Sequence, residues 1–591
     1  MGVRMNMDKK KRFTKSITFR ILIGVLVLVI LGAGFYGFKL LVKVKGSFSY
    51  LYNYTVDTRG SLPVEQYLDN AKGAEEAHPR ATKNTNPNVL SMSTRIQVNG
   101  VDVKSYKRPY DLTFSEEDLS GMDQLKGVYT FRGDYYRNHQ AYGYANLIEK
   151  KFDSNIWSFT TGKVLKSNGV DYWSGNGWTG QPLVVEWDDE TKRIMNLYDA
   201  AKKKEGLVEV IYPGMDGYVH FLDMDTGEPT RDAINVGMTF KGTASLHPGG
   251  IPMLVMGSGD AQTGVYGECI SPRIYIYSLI DGSKLYEFAM NDPIAPRIWH
   301  AFDSSAIFHV ESDTIICPGE NGVLYTLKLN TKYDKVKGTL SIAPSEEVRV
   351  VYSAARASED YHVWGSECSG SVWENYLYLG DNGGVVNCID LNTMELIWTQ
   401  DVGDDVNSSI IFDKEEDGKK YIYVATTLKY GKDSHNMGEA SVYKLNAITG
   451  EIVWRKPYEV HSVAGLAGGF LATGIAGKGI VSNSVFYFVS KTPNVEGGYL
   501  VALDKKTGEE IWRTDLGTDS WSSANIIYTA SGDAYLLQGA YNNKLMLIDA
   551  TTGKVIDSID VGGGIEATAA VYKNKIVVGT RNEKIIGVTL R

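Results

Sequence analysis

Residues 502–512 read A-L-D-K-K-T-G-E-E-I-W, and close copies of this pattern recur along the chain. Residues 388–398 read C-I-D-L-N-T-M-E-L-I-W, and residues 444–454 read K-L-N-A-I-T-G-E-I-V-W. Residues 547–557, L-I-D-A-T-T-G-K-V-I-D, keep everything except the Trp. Each copy reads as a strand end, a tight turn and the next strand. The Asp or Asn side chain can accept from the turn backbone, and Gly takes a positive φ at low steric cost. A motif repeating at a steady interval predicts a repeat architecture.

Weaker copies at residues 222–227, 278–282 and 327–332 extend the series. With the Gly position as marker, the turns fall at 227, 282, 332, 394, 450, 508 and 553. All but the last of those steps exceed the roughly 40–45 residues of a minimal four-stranded propeller blade and leave room for loops. Ahead of each turn lie short β-branched and aromatic runs, such as 485–490 with 499–503, and 534–538 with 544–548. Helical periodicity is nearly absent, so the chain reads as all-β antiparallel sheet. Seven marked turns are followed by a last unmarked strand at 584–590. Its missing outer neighbour matches residues 155–160, N-I-W-S-F-T, near the start of the domain. Trp157 is therefore expected on an N-terminal strand completing the blade of residues 565–590, a closure that removes two exposed sheet edges. Eight blades are expected, with seven as the alternative.

The A-x-D-x-x-T-G-x-x-x-W pattern resembles the tryptophan-docking motif of the eight-bladed pyrroloquinoline quinone (PQQ) quinoprotein-like propellers. Residues 130–138, T-F-R-G-D-Y-Y-R-N, are similar to the F-R-G segment that often opens such domains. The resemblance covers roughly residues 125–591 and implies fold more than activity, since the motif joins blades and does not touch the cofactor. It gives Trp157, Trp398, Trp454 and Trp512 a structural docking role, which suits a side chain with a large apolar area and an N–H to place.

At the N-terminus, Ile21 to Phe38 form an uncharged apolar run of 18 residues, about 27 Å long as a helix and close to the thickness of a bilayer's hydrocarbon. Seven Lys and Arg precede it and three Lys follow at 39, 43 and 45. That asymmetry predicts a cytoplasmic basic tail (1–20), a signal-anchor helix (21–41) in the lipid bilayer and an extracytoplasmic remainder. A cleaved signal peptide is the rival reading, though its apolar core would be shorter. Residues 42–92 read as a polar spacer, and 93–124 as a small hairpin or cap built on Asn99-Gly100. Four cysteines, Cys269, Cys317, Cys368 and Cys388, leave pairing open between disulfides and buried thiols. A net charge of −9, with no basic cluster beyond the N-terminus, gives nucleic-acid binding no electrostatic support.

In a propeller the residues before each innermost strand ring the mouth of the central channel. Those are Trp178, then Trp299, His300 and Asp303, then Trp364 and Glu367, Asn407, Trp521 and Glu566. Convergent aromatics and carboxylates suit a small polar-aromatic ligand or a sugar. The competing reading is that the aromatics plug the mouth and the carboxylates are solvated. Asp303 and Glu367 carry oxygen donors suited to a hard cation such as calcium. The sequence contains no G-x-S-x-G, no H-E-x-x-H and no paired cysteines, so a binding or scaffold module for a protein or envelope polymer is expected. One alternative is a PQQ-dependent dehydrogenase, with the quinone on Trp299 or Trp364. The family's alcohol-oxidising members carry a vicinal disulfide beside the quinone, and no two cysteines are adjacent here. Another alternative is an envelope-assembly scaffold.

Overall fold

The computed structural model describes residues 78–591 apart from 117–124, 140, 261, 264–268, 298–299, 356–364, 417, 464–465 and 494–495. The basic tail, the anchor and most of the spacer lie outside the described residues, as do Trp299 and Trp364. Among the described residues no helix is long and apolar enough to cross a membrane.

The chain is an eight-bladed β-propeller. The innermost strands of blades 1 to 8 are Leu183–Glu186, Ser245–Leu246, Ile307–His309, Ser371–Trp373, Ile411–Lys414, Ile475–Ala476, Asn525–Tyr528 and Ala570–Tyr572. Each begins a four-stranded antiparallel meander, as in blade 6, where Ser484–Thr492, Glu496–Asp504 and Glu510–Asp515 follow outward. Blade 8 takes its outermost strand, Trp157–Thr160, from the N-terminal side of the ring, paired with Lys584–Thr589 so that Trp157 faces Gly587. In such a meander the first-to-second and third-to-fourth connections share one face of the ring. The other two kinds of connection share the opposite face.

The repeated turn joins neighbouring blades. Gly450, Gly508, Gly553 and Gly227 have φ between 72° and 74°, and a Cβ on any of them would strike an indole of the preceding blade. Gly therefore serves the turn and the stacking at once. Above them, the indole N–H of Trp398 donates to Ala447 O at 3.1 Å, Trp454 to Lys505 O at 2.9 Å, Trp512 to Ala550 O at 3.1 Å and Trp157 to Met224 O at 2.9 Å.

The two imperfect copies have physical reasons. Met394 occupies the Gly position of blade 4 with φ 58°. Blade 3 presents Tyr352 there instead of Trp, and its hydroxyl donates to Met394 O at 3.0 Å, so no indole needs the space. Asp557 stands in the Trp position of blade 7 because blade 8 is made from two distant stretches of chain and has no T-G turn to stack on. Its carboxylate accepts the Phe152 N–H at 2.8 Å instead.

The segment 93–103 departs from the cap expected of it. Ser93–Val98 and Val101–Val103 form a hairpin, but Ser93–Val98 also pairs with Glu346–Ser353, so the hairpin widens blade 3 at its outer edge. The weak turn copy at 327–332 leads into an inserted hairpin, Lys332–Asp334 with Thr339–Ser341. Cys317, Cys368 and Cys388 are buried free thiols, with pKa values pushed up by burial.

Candidate functional site

The central channel is closed at one end and lined with polar groups at the other. The closure is the F-R-G segment, which winds across the axis and bonds to the inner strand of every blade. Gly127–Val128 pairs with blade 1 and Ala141–Tyr142 runs parallel to blade 8. Between them, Leu246 N–H donates to Tyr129 O, Phe308 N–H to the Tyr135 hydroxyl, Val372 N–H to Tyr135 O and Phe412 N–H to Tyr136 O, at 2.8–2.9 Å. Ala476 N–H reaches Asn138 Oδ1 at 2.9 Å, and Ala145 N–H reaches Tyr528 O at 2.9 Å. Arg132, Gly133 and Arg137 all have positive φ, which winds the segment tightly.

Two fully buried arginines lock it. Arg132 donates to Ala524 O at 2.8 Å and Gly474 O at 2.5 Å, and Arg137 to Gly370 O at 2.8 Å and Phe131 O at 3.0 Å. Burial lowers their pKa values to about 9 and about 10. Carbonyl dipoles, not carboxylates, take up their charge.

Above this plug runs a ring of hydroxyls. Gln181 N–H donates to Thr243 Oγ1 at 2.7 Å. Ser305 N–H donates to Ser369, Ser369 N–H to Ser409, Ser409 N–H to Thr473 and Thr473 N–H to Ser523, each at 2.9 Å. Ser523 N–H reaches Thr568 at 3.3 Å, Thr568 N–H reaches Gly180 O at 3.2 Å, and Ser305 Oγ–H donates to Thr243 O at 2.7 Å. These hydroxyl residues, each just ahead of an inner strand, join blade to blade around the axis.

Two residues before each hydroxyl, the same register places Lys241, Asp303, Glu367, Asn407, Leu471, Trp521 and Glu566, with Thr179 in blade 1. In a strand, positions two apart share a face. Thr179, Asp303, Glu367, Asn407 and Leu471 of this series line a cavity of about 330 Å³, its opening to solvent included, with Phe131 of the plug among the other lining residues. Asp303 and Glu367 are its charged lining residues, and Leu471 and Phe131 its large apolar ones.

Of the site residues read from sequence, Asp303 is the most perturbed. Burial raises its pKa to about 7, against the pull of Lys241, and Oδ1 has no hydrogen-bond partner. Glu367 accepts from Asn382 Nδ2 at 3.1 Å, and Asn407 Oδ1 accepts from the same amide at 3.3 Å. Glu566 lies 3.2 Å from Arg581, without hydrogen-bonding alignment at that oxygen, and burial raises its pKa to about 7. His300 is half-buried with Nδ1 unpartnered, and burial lowers its pKa. Trp178 is flanked by Lys241 Nζ at 5.2 Å and the Arg581 guanidinium at 5.3 Å from its ring, with Trp521 at 5.4 Å. Trp521 is only 4% exposed, and its indole N–H has no acceptor. The two indoles pack on each other, and neither is among the residues lining the cavity.

Sequence reasoning missed half of this cluster. Asp260, Glu320, Asn382, Lys429 and Arg581 come from second-to-third-strand loops on the same face, whereas only segments leading into inner strands were considered. Arg297 pairs with Glu320 at 3.1 Å, Lys241 with Asp260 at 2.7 Å and Lys429 with Asp405 at 3.7 Å. Glu320 is raised well above the ordinary range by burial and by Glu367 and Asp303 beside it. Asp405 is raised to about 7 by burial, opposed by Lys429. Carboxylates outnumber cations here. The glycine-rich run 461–480 leads to the inner strand of blade 6, where Gly469 bridges to both Thr427 and Ser490 and a Cβ on Gly474 would strike Tyr487.

The family described as Outer membrane protein assembly factor BamB matches residues 496–590, a stretch within blades 6 to 8. Among solved structures, BamB from Moraxella catarrhalis is 12% identical, covering 69% of this chain and 96% of its own, with a TM-score of 0.39. The quinohemoprotein alcohol dehydrogenase from Comamonas testosteroni is 11% identical, covering 78% and 80%, with a TM-score of 0.38. A computationally designed protein, Ika8, is 13% identical, covering 65% and 93%, with a TM-score of 0.40. No curated protein matches the sequence.

The described residues of the funnel do not fit PQQ. That quinone is a polycarboxylate and would meet Asp303, Glu320, Glu367 and Asp405, of which Asp303 already has an oxygen without a partner. Among the described residues no three carboxylates, histidines or cysteines are grouped to hold a metal ion.

Proposed function

We propose that this PQQ-like β-propeller is a non-enzymatic binding module, tethered outside a membrane by the run Ile21 to Phe38, whose funnel takes a ligand bearing a protonated amine beside an apolar or sugar ring. The observation that carries the ligand class is the unpartnered, buried Asp303 oxygen beside Glu320 and Glu367. A buried polar atom without a partner is costly, and an incoming N⁺–H supplies both the hydrogen bond and the missing charge. Leu471 and Phe131, which line the same cavity, offer apolar surface to the rest of the molecule. The plug makes the funnel a blind pocket rather than a passage.

Spermidine and glucosamine, each compared with its N-acetylated counterpart by calorimetry, test this reading. The free amines are expected to bind at least tenfold more tightly than the acetylated forms, and Asp303→Asn to abolish the difference. Equal affinities, or no binding by any of the four, would remove it. The family match of residues 496–590 favours a second reading, a scaffold in envelope assembly. Chemical cross-linking in cells that captures a membrane-assembly partner at the ring, unaffected by Asp303→Asn, would support that reading over the first.

A further inference from the structure

The face opposite the funnel is unevenly covered. The incoming chain crosses it over blades 3 and 4, where Arg108 N–H donates to Asn392 O and Phe114 N–H to Glu374 O. Over blades 7 and 8 residues 145–153 cross it, bonding to Tyr528, Asn574 and Arg591, and a cavity of about 1800 Å³, its opening to solvent included, lies between the plug's outgoing strand and the first-to-second-strand loops. Tyr142, Tyr144, Ile475 and Ile526 give it an apolar lining, and Lys478 and Lys573 stand at its edge. Around it Tyr144, Ile148 and Ile480 are 68%, 80% and 60% exposed. Lys150 adds a third cation, its ammonium 5.4 Å from the Tyr535 ring. His139 lines the same cavity and burial lowers its pKa to about 4, so it is neutral there. Nearby carboxylates include Asp533, which accepts from Ser531, Glu149, which pairs with Lys151, Asp549 toward Lys150, Asp134 toward Lys478 and Asp413 toward Tyr528.

We propose that this sector of the propeller rests on an anionic lipid surface, with Tyr144, Ile148 and Ile480 entering the headgroup region and Lys478, Lys573 and Lys150 meeting the phosphates. Exposed apolar side chains flanked by lysines are the composition of an interfacial contact, and cations near an anionic leaflet add attraction that falls off within a Debye length. The occupant follows from charge complementarity: Lys150, Lys478 and Lys573 stand beside the exposed apolar side chains. This inference rests on the tethered reading above, and it places the funnel away from the lipid, open to soluble or envelope ligands.

The test uses the full chain with Cys269→Ser, reconstituted in vesicles of phosphatidylcholine mixed with phosphatidylglycerol. A nitroxide is attached at Ile480→Cys or, on the funnel face, at Tyr541→Cys. Cys317, Cys368 and Cys388 are buried and compete little for the label. The ratio of collision with oxygen to collision with a polar nickel chelate is expected to be several-fold higher at 480 than at 541. It should fall toward the value at 541 in pure phosphatidylcholine, or with Lys478→Glu and Lys573→Glu together. Equal ratios at both positions in the anionic vesicles would overturn the proposal. A carbonate wash separates the two readings: release of the chain sinks the tether, whereas retention with equal ratios sinks only the lipid-facing patch.

Discussion

The two ends of the channel are built from similar materials and held in opposite states. At the plug, Arg132 and Arg137 carry charge into the interior, and each of their guanidinium nitrogens except Arg132 Nε donates to a partner, mostly a backbone carbonyl. At the funnel, Asp303, Glu566 and Trp521 each keep a buried polar atom without a hydrogen-bond partner, and three carboxyls are pushed up to about 7. Buried polar groups are normally satisfied, so clustered exceptions mark a place where satisfaction comes from outside the fold. The plug is a fastening and the funnel a vacancy for chemistry. Substitutions should separate them.

The largest effect is expected at the fastening. Arg137→Met keeps the length of the side chain but leaves Gly370 O, Phe131 O and Thr130 Oγ without their donor. At roughly 1–3 kcal/mol for each buried group left unpaired, with part of that recovered by relaxation, a loss of about 3–5 kcal/mol follows. Denaturant unfolding measures it. A loss under about 1 kcal/mol would mean that the segment lies in the channel without holding it.

Next comes a pH effect at the funnel. A carboxyl held at about 7 in the fold and near 4 when unfolded stabilises the protein most below pH 4. That contribution disappears as pH rises through 7. His139 and His247, lowered to about 4 by burial, work in the opposite direction over part of this window. The informative quantity is therefore a difference between proteins. Asp405→Asn and Glu566→Gln should each gain in Tm relative to wild type, by several degrees, between pH 4.5 and 7.5. A constant difference across that range would show that these carboxyls are ordinary.

Much of this architecture was legible, and the reason is local. The Asp, Thr, Gly and Trp of the turn act within eleven residues, and closure by Trp157 needed only the same motif recognised at both ends of the ring. The plug was not legible in that way. T-F-R-G-D-Y-Y-R-N shows no periodicity, and its partners are the inner strands of all eight blades, which only the closed ring brings together. The hydroxyl ring did have a signal: Ser or Thr recurs at 243, 305, 369, 409, 473, 523 and 568, each at the head of an inner strand. Its meaning required knowing that adjacent heads meet around an axis. At the funnel, Asp303, Glu367 and Glu566 could be found because they precede inner strands. Glu320, Asn382 and Arg581 lie in loops whose sequences resemble any polar turn, and only their convergence distinguishes them.

A smaller effect is expected at the boundary between the two ends. Ser409→Ala removes the acceptor for the Ser369 N–H while leaving its own N–H to Thr473 intact. One orphaned buried N–H costs about 1–3 kcal/mol, and the surrounding chain can relax little because the ring is closed on both sides. Unfolding should report a loss near the lower end of that range, with ligand affinity unchanged. A change in amine affinity as large as that from Asp303→Asn would merge the hydroxyl ring with the funnel and blur the distinction between them.

The smallest stability effect is expected where the binding effect is greatest. Asp303→Asn preserves shape and replaces a carboxyl whose ionisation is opposed by burial with an amide that carries no charge. The lost attraction to Lys241 is offset by the desolvation no longer required, so ΔG of unfolding should stay within about 1 kcal/mol of wild type at pH 7, or rise. Lys241 keeps its partner Asp260 at 2.7 Å, so no buried cation is stranded by the change. The vacant hydrogen-bonding position survives in neutral form, which is why amine binding should fall while the fold does not. If Asp303→Asn destabilised the protein as severely as Arg137→Met, Asp303 would belong to the fastening, and the funnel would be part of the same closed structure as the plug.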